Sequence, residues 1–125
     1  MIALDASALL AFLLRERGHE RVGALLNEAC MSTVNFSEVL GRFARAGQDV
    51  VSIAEKLLAA PIEMVAFSTG QAAIAAALVP ETQAGGLSLG DRACLALARE
   101  RGIRAITADA SWAQLNLSIA VETIR

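Results

Sequence analysis

The chain holds a single histidine, His19, and only two cysteines, Cys30 and Cys94. A structural zinc site needs four thiolate or imidazole ligands, and a serine triad needs a positioned histidine base. His19 sits in the polar stretch Arg15-Glu16-Arg17-Gly18-His19-Glu20, where a surface role is the better expectation. The cysteines stand in apolar surroundings without CxxC spacing, which predicts two reduced core thiols. No apolar run approaches the ~20 residues of a membrane span. Met1 to Asp5 meets an acid before any basic segment, so a signal peptide is not expected and a cytoplasmic location is. Basic excess is missing as well: 11 Lys and Arg against 13 Asp and Glu leave a net charge of −2. That is not the footprint of a general nucleic-acid binder, so any nucleic acid must be held by a local basic patch, a metal or a second subunit.

What is present is a chain of 125 residues, 55% apolar and 19% charged, enough for one compact domain with a real core. Its apolar excess hints at a surface buried against a partner or a second copy. The hydrophobic period switches repeatedly between strand and helix. Ile2–Leu4, Met31–Val34, Ile62–Val65, Ile103–Thr107 and Ser118–Glu122 read as strands. Ala6–Leu14, Glu20–Glu28, Asp49–Ala60 and Leu89–Arg101 read as helices, the last closed by Gly102. Asn35-Phe36-Ser37-Glu38 matches a capping box that opens a helix running to about Ala46. Ser68 caps an alanine-rich helix ending near Pro80, a loop covers Glu81–Gly86, and a short helix spans Ser111–Leu115. The expectation is a single α/β domain over residues 1–125: a mainly parallel sheet of about four to five strands, flanked by helices on both faces.

Four of the acids, Asp5, Glu38, Asp91 and Asp109, follow or interrupt apolar stretches; the other nine lie on polar helix faces, in loops or near the chain end. Each of the four has a structural explanation. Asp5 and Asp109 fit as helix N-caps, Asp91 as a first-turn acid favoured by the helix dipole, and Glu38 as the far arm of its capping box. Jointly they point elsewhere. In a parallel sheet the working crevice lies at the carboxyl ends of the strands, and all four acids can reach that edge. Gathered carboxylates raise one another's pKa unless a cation joins them, which implies a hard divalent metal. Leu4-Asp5-Ala6-Ser7 and Thr107-Ala108-Asp109-Ala110-Ser111 share one logic of strand, acid, small residue and hydroxyl. Ser7, Thr107 and Ser111 are therefore expected to orient the carboxylates. Arg42 and Arg45 share a helix face with Glu38 and are candidates for phosphate contacts, with Arg15 and Arg92 behind them.

The segments Ile2-Ala3-Leu4-Asp5-Ala6-Ser7-Ala8-Leu9-Leu10, Asn35-Phe36-Ser37-Glu38-Val39, Leu87 to Ala98 around Asp91, and Thr107 to Trp112 around Asp109 resemble the four motifs of PIN-domain ribonucleases. More closely they are similar to the VapC-type toxins of toxin–antitoxin pairs. The match runs in order along the whole chain. The resemblance implies a Mg²⁺- or Mn²⁺-dependent endoribonuclease with Asp5, Glu38, Asp91 and Asp109 as its catalytic and metal-binding acids. It also implies a homodimer, an RNA substrate and inhibition by a small antitoxin. Target choice is expected in the motif-free stretch 45–86. The alternative is a non-catalytic or signalling α/β domain that binds Mg²⁺ through its acids. A phosphoacceptor module of that kind wants an acidic pair after the first strand and a lysine after a late one. Asp5 has no acidic neighbour, and the only lysine, Lys56, lies mid-helix.

Overall fold

The computed structural model describes all of residues 1–125. Five strands, β1 (Ile2–Leu4), β2 (Ala29–Ser32), β3 (Glu63–Val65), β4 (Arg104–Thr107) and β5 (Val121–Thr123), form one sheet in the order β3-β2-β1-β4-β5. Every pairing is parallel. Seven helices connect or flank them: α1 (Ala6–Leu13), α2 (His19–Leu25), α3 (Thr33–Arg45), α4 (Val50–Ala59), α5 (Thr69–Ala77), α6 (Val79–Thr82) and α7 (Leu89–Arg101).

Strand alternation divides the interior in two. Ile2, Leu4, Ala29, Met31 and Ile106 pack with Leu9, Val22, Val39 and Leu57 of α1 to α4. Ala3, Cys30 and Ala105 face the other side and meet Cys94, Leu95, Leu97 and Ala98 of α7. The small strand residues on that side let α7 lie close to the sheet, which explains why it is the most completely buried helix. Both thiols are free and buried, and burial pushes both upward, Cys94 well above the ordinary thiol range. No helix is long and apolar enough to cross a membrane.

Several boundaries differ from the sequence reading, and one matters. Strand β2 ends at Ser32, whose hydroxyl accepts from the Val34 amide and caps α3. The cap of α3 thus lies three residues before Asn35, and the expected Asn35–Glu38 capping box does not exist. Glu38 lies nearly two turns inside the helix, not one. Residues 79–85, expected mainly as loop, form α6 and a following 3₁₀ turn, with Pro80 tolerated in the first turn of α6. The expected last strand starts only at Val121, and the short helix near Ser111 is a 3₁₀ turn over Ala110–Gln114. His19 opens α2 half-buried, its Nε2 2.9 Å from Glu20, and is not a free surface side chain.

Candidate active site

The sheet grows outward from β1 in both directions, to β2 and β3 on one side and to β4 and β5 on the other. The carboxyl ends of β1 and β4 therefore flank the point where the winding reverses, the place where open α/β sheets form their crevices. Asp5 is the first residue after β1, and its amide donates to the Ile106 carbonyl of β4 (2.9 Å). A cavity of about 230 Å³ opens there, lined by Asp5, Ala6, Ser7, Leu10, Glu38, Arg42, Arg45 and Asp91. A larger cavity, about 290 Å³, sits at the opposite end of β4 between Arg99, Arg104 and Ile119. It is lined by no acid, and Arg99 and Arg104 are already engaged by Ser118 and Glu122.

Asp5 is 3% exposed and stands at the N-cap position of α1, yet its side chain caps nothing. Its Oδ2 instead receives two hydroxyl bonds, from Ser7 Oγ (2.6 Å) and Thr107 Oγ1 (3.0 Å). Ser7 and Thr107 in turn accept the amides of Ala108 and Asp109 at 3.0 and 3.1 Å. The two hydroxyls also lie 3.1 Å from each other, and no protein donor reaches Oδ1 of Asp5. Burial, and then the charges of Asp91 and Glu38 working against the two hydroxyl bonds, raise the Asp5 pKa from 3.8 to about 6.

Glu38 reaches the cavity from the exposed face of α3 that also carries Arg42 and Arg45. Its Oε1 accepts from Asn35 Nδ2 at 2.9 Å. Asp91 is the N3 residue of α7. Its Oδ2 accepts the Ser88 amide (2.9 Å) while Ser88 Oγ accepts the Asp91 amide (3.2 Å), a reciprocal capping box. Asp91 thus has two placements at once: one oxygen fixes the helix start, and the residue also lines the cavity. Asp5, Glu38 and Asp91 are in no ion pair, and neither are Arg42 and Arg45.

Asp109 is placed differently. It is exposed, does not line the cavity, and caps the 3₁₀ turn through Oδ1, which accepts from the Ser111 amide (3.0 Å) and Ser111 Oγ (2.7 Å). Ser111 therefore orients Asp109, as Ser7 and Thr107 orient Asp5. Arg92 donates to the Ala75 carbonyl at 3.1 Å and so tethers α5 to α7, and Arg15 does not line the cavity. Two residues that the sequence did not assign to the site border it, Asn35, expected only as a helix cap, and Gly90. Asn35 is fully buried and bonds both Glu38 and the Gly90 carbonyl (2.9 Å). A Cβ on Gly90 would collide with the Glu38 carboxylate. The available signal was a helix-disfavoured glycine directly before an acid in the first turn of a helix.

The donor set suits a hard cation, since every candidate ligand is a carboxylate oxygen and no nitrogen or sulfur competes. No three acidic, thiol or imidazole groups stand close enough to cage an ion by themselves. Mg²⁺ does not require a cage, because it binds through one or two carboxylates and keeps several waters. The open Oδ1 of Asp5 and the uncompensated charge around it fit that mode.

A parallel α/β domain with carboxylates converging at its topological switch point is the class that these observations define. Residues 2–116 match the PIN domain family model, and the chain belongs to the PIN-domain family. No curated protein matches the sequence. Among solved structures, the chain is similar to a toxin–antitoxin complex from Klebsiella pneumoniae (20% identity, 99% of this chain and 97% of that one covered, TM-score 0.76). It is also similar to VapBC2 of Rickettsia felis bound to a promoter DNA fragment (15%, 98% of each chain, TM-score 0.75). A third is Mycobacterium tuberculosis VapC20, a sarcin-ricin loop cleaving toxin (16%, 91% and 94%, TM-score 0.72). At these identities the likeness establishes the shared fold.

Proposed function

We propose that the protein is a metal-dependent endoribonuclease, the toxin of a toxin–antitoxin pair. The observation that carries the reading is the convergence of Asp5, Glu38 and Asp91, from three separate elements, on one cavity with no cation of the protein's own paired to them. Membership of the PIN-domain family and likeness to toxins, one of which cleaves the sarcin-ricin loop, supports it. Asp5 and Asp91 would be the principal ligands of Mg²⁺ or Mn²⁺, with Glu38 assisting and Asp109 acting through water. When bound, the ion polarises the scissile phosphate and makes a coordinated water acidic. Ser7 and Thr107 hold Oδ2 of Asp5 and leave Oδ1 without a protein partner in a residue that lines the cavity. Glu38, with Oε1 fixed by Asn35, has its second oxygen available to orient the attacking water. Arg42 and Arg45 on the rim provide unpaired guanidinium groups for the flanking phosphates, a local basic patch in an acidic chain. A cytoplasmic homodimer shielded by an antitoxin completes the proposal, consistent with neighbours solved as toxin–antitoxin assemblies.

Incubation of the purified protein with total RNA, with Mg²⁺ and with EDTA, tests the reading. Cleavage is expected only with the metal and is expected to disappear in Asp91→Asn. Full activity in EDTA or in that variant refutes the metal mechanism. Sequencing the RNA ends that appear on expression then identifies the target.

A further inference from the structure

Asn35 is a buried amide whose bonding makes little sense as packing alone. Its two N–H groups go to Glu38 Oε1 and the Gly90 carbonyl, both at 2.9 Å. Its Oδ1 is fully buried and has no partner. Flipping the amide does not help, because Oδ1 would then face two acceptors, so the orientation is fixed. A buried acceptor left unbonded is costly, and an apolar residue of the same shape would avoid that cost. What the arrangement achieves is a clamp: α3 is tied to the first turn of α7, and the Glu38 carboxylate is pressed onto the bare Cα of Gly90, next to Asp91. The two carboxylates contributed by helices are thereby set at a fixed separation, while the third, Asp5, is set by the sheet.

We propose that Asn35 is a positioning residue, holding Glu38 against Gly90 so that it and Asp91 address the same ion. The proposal rests on the metal-dependent reading above. Its test is a double-mutant cycle of Asn35→Leu and Glu38→Gln, read by Mn²⁺ titration of the purified protein. Asn35→Leu keeps the shape and removes both donors. It is expected to weaken Mn²⁺ binding by about tenfold or more, the usual effect of losing a ligand-orienting partner. In the Glu38→Gln background the same change should cost less than about twofold, because no carboxylate is left to position. Equal losses in both backgrounds, or no loss in either, overturn the proposal and leave the nuclease reading standing. A native protein that does not bind Mn²⁺ overturns the nuclease reading and this proposal with it. Should Asn35→Leu not fold, Gly90→Ala replaces it. Alanine favours the helix, and its Cβ displaces Glu38, so Mn²⁺ binding must fall in the same way. Undiminished binding by Gly90→Ala overturns the proposal.

Discussion

Asp5 and Asp109 are nearly indistinguishable in sequence, and the fold makes them opposites. Each comes just after a parallel strand, is followed by an alanine, and has a serine hydroxyl two residues on. Yet Asp5 is buried, caps nothing and is held by hydroxyls from the first turn of α1 and the end of β4, whereas Asp109 is exposed and its carboxylate is bonded only within its own turn. The difference comes from placement. Strand β1 is central, and α3 and α7 bring Glu38 and Asp91 to its end; Asp109 comes one residue later, after Ala108, outside the cavity. Local pattern reveals which residues can serve a site, and sheet order decides which one sits at its centre.

The largest expected contrast is in activity. Asp5→Asn should lower Mg²⁺-dependent RNA cleavage by more than the ~10–100-fold typical of outer partners, and Asp109→Asn by less than about tenfold. Initial rates on one RNA substrate measure both. Equal losses would make the two acids equivalent ligands.

Stability should move the other way. Because burial lifts the Asp5 pKa from 3.8 to about 6, the folded state binds its proton more tightly than the unfolded chain. Metal-free stability therefore falls as pH rises from about 4 to about 6 and then levels, with an ionic cost near neutrality of about 3 kcal/mol. Asp5→Asn should remove that fall, leaving the variant more stable than the native chain at pH 7 in EDTA. Mg²⁺ should stabilise the native chain, by about 2.7 kcal/mol at a hundredfold excess over Kd, and leave the variant unmoved. Urea titrations across pH, with and without Mg²⁺, measure all three effects. No equivalent behaviour is expected of Asp109.

The hydroxyls extend the comparison. Ser7→Ala removes the 2.6 Å bond to Asp5 and the acceptor of the Ala108 amide, so a loss of cleavage of about 10–100-fold is expected. Ser111→Ala removes only the hydroxyl bond to a solvent-facing carboxylate and should change the rate by less than about threefold, since exposed hydrogen bonds contribute little net. A Ser111→Ala defect as large as that of Ser7→Ala would place Asp109 in the reaction.

Much of this was legible before folding. The α/β class, the strand-end acids, Ser7 and Thr107 as partners of a carboxylate, and the full extent of α7 follow from period and placement, signals carried within ten or so residues. What escaped was set by contacts between distant segments. Asn35 looked like a cap because Ser32, the actual cap, was absorbed into the expected end of β2. Its true partner, the Gly90 carbonyl, lies 55 residues away. How differently the fold places Asp5 and Asp109 was hidden for the same reason, since sheet order cannot be read from either segment alone.

Asp109 allows cap and charge to be separated within one residue. Its carboxylate accepts from the Ser111 amide, and asparagine serves an N-cap as well as aspartate does. Asp109→Asn should therefore leave urea stability unchanged, whereas Asp109→Ala should cost about 1 kcal/mol. If the residue only caps the turn, cleavage should follow stability: native in Asp109→Asn and slightly reduced in Asp109→Ala. If its free oxygen reaches the ion through water, Asp109→Asn should keep full stability and still weaken Mn²⁺ binding. The cap would then be what holds an outer ligand in place, and Asp5 and Asp109 would differ in degree of engagement, not in kind.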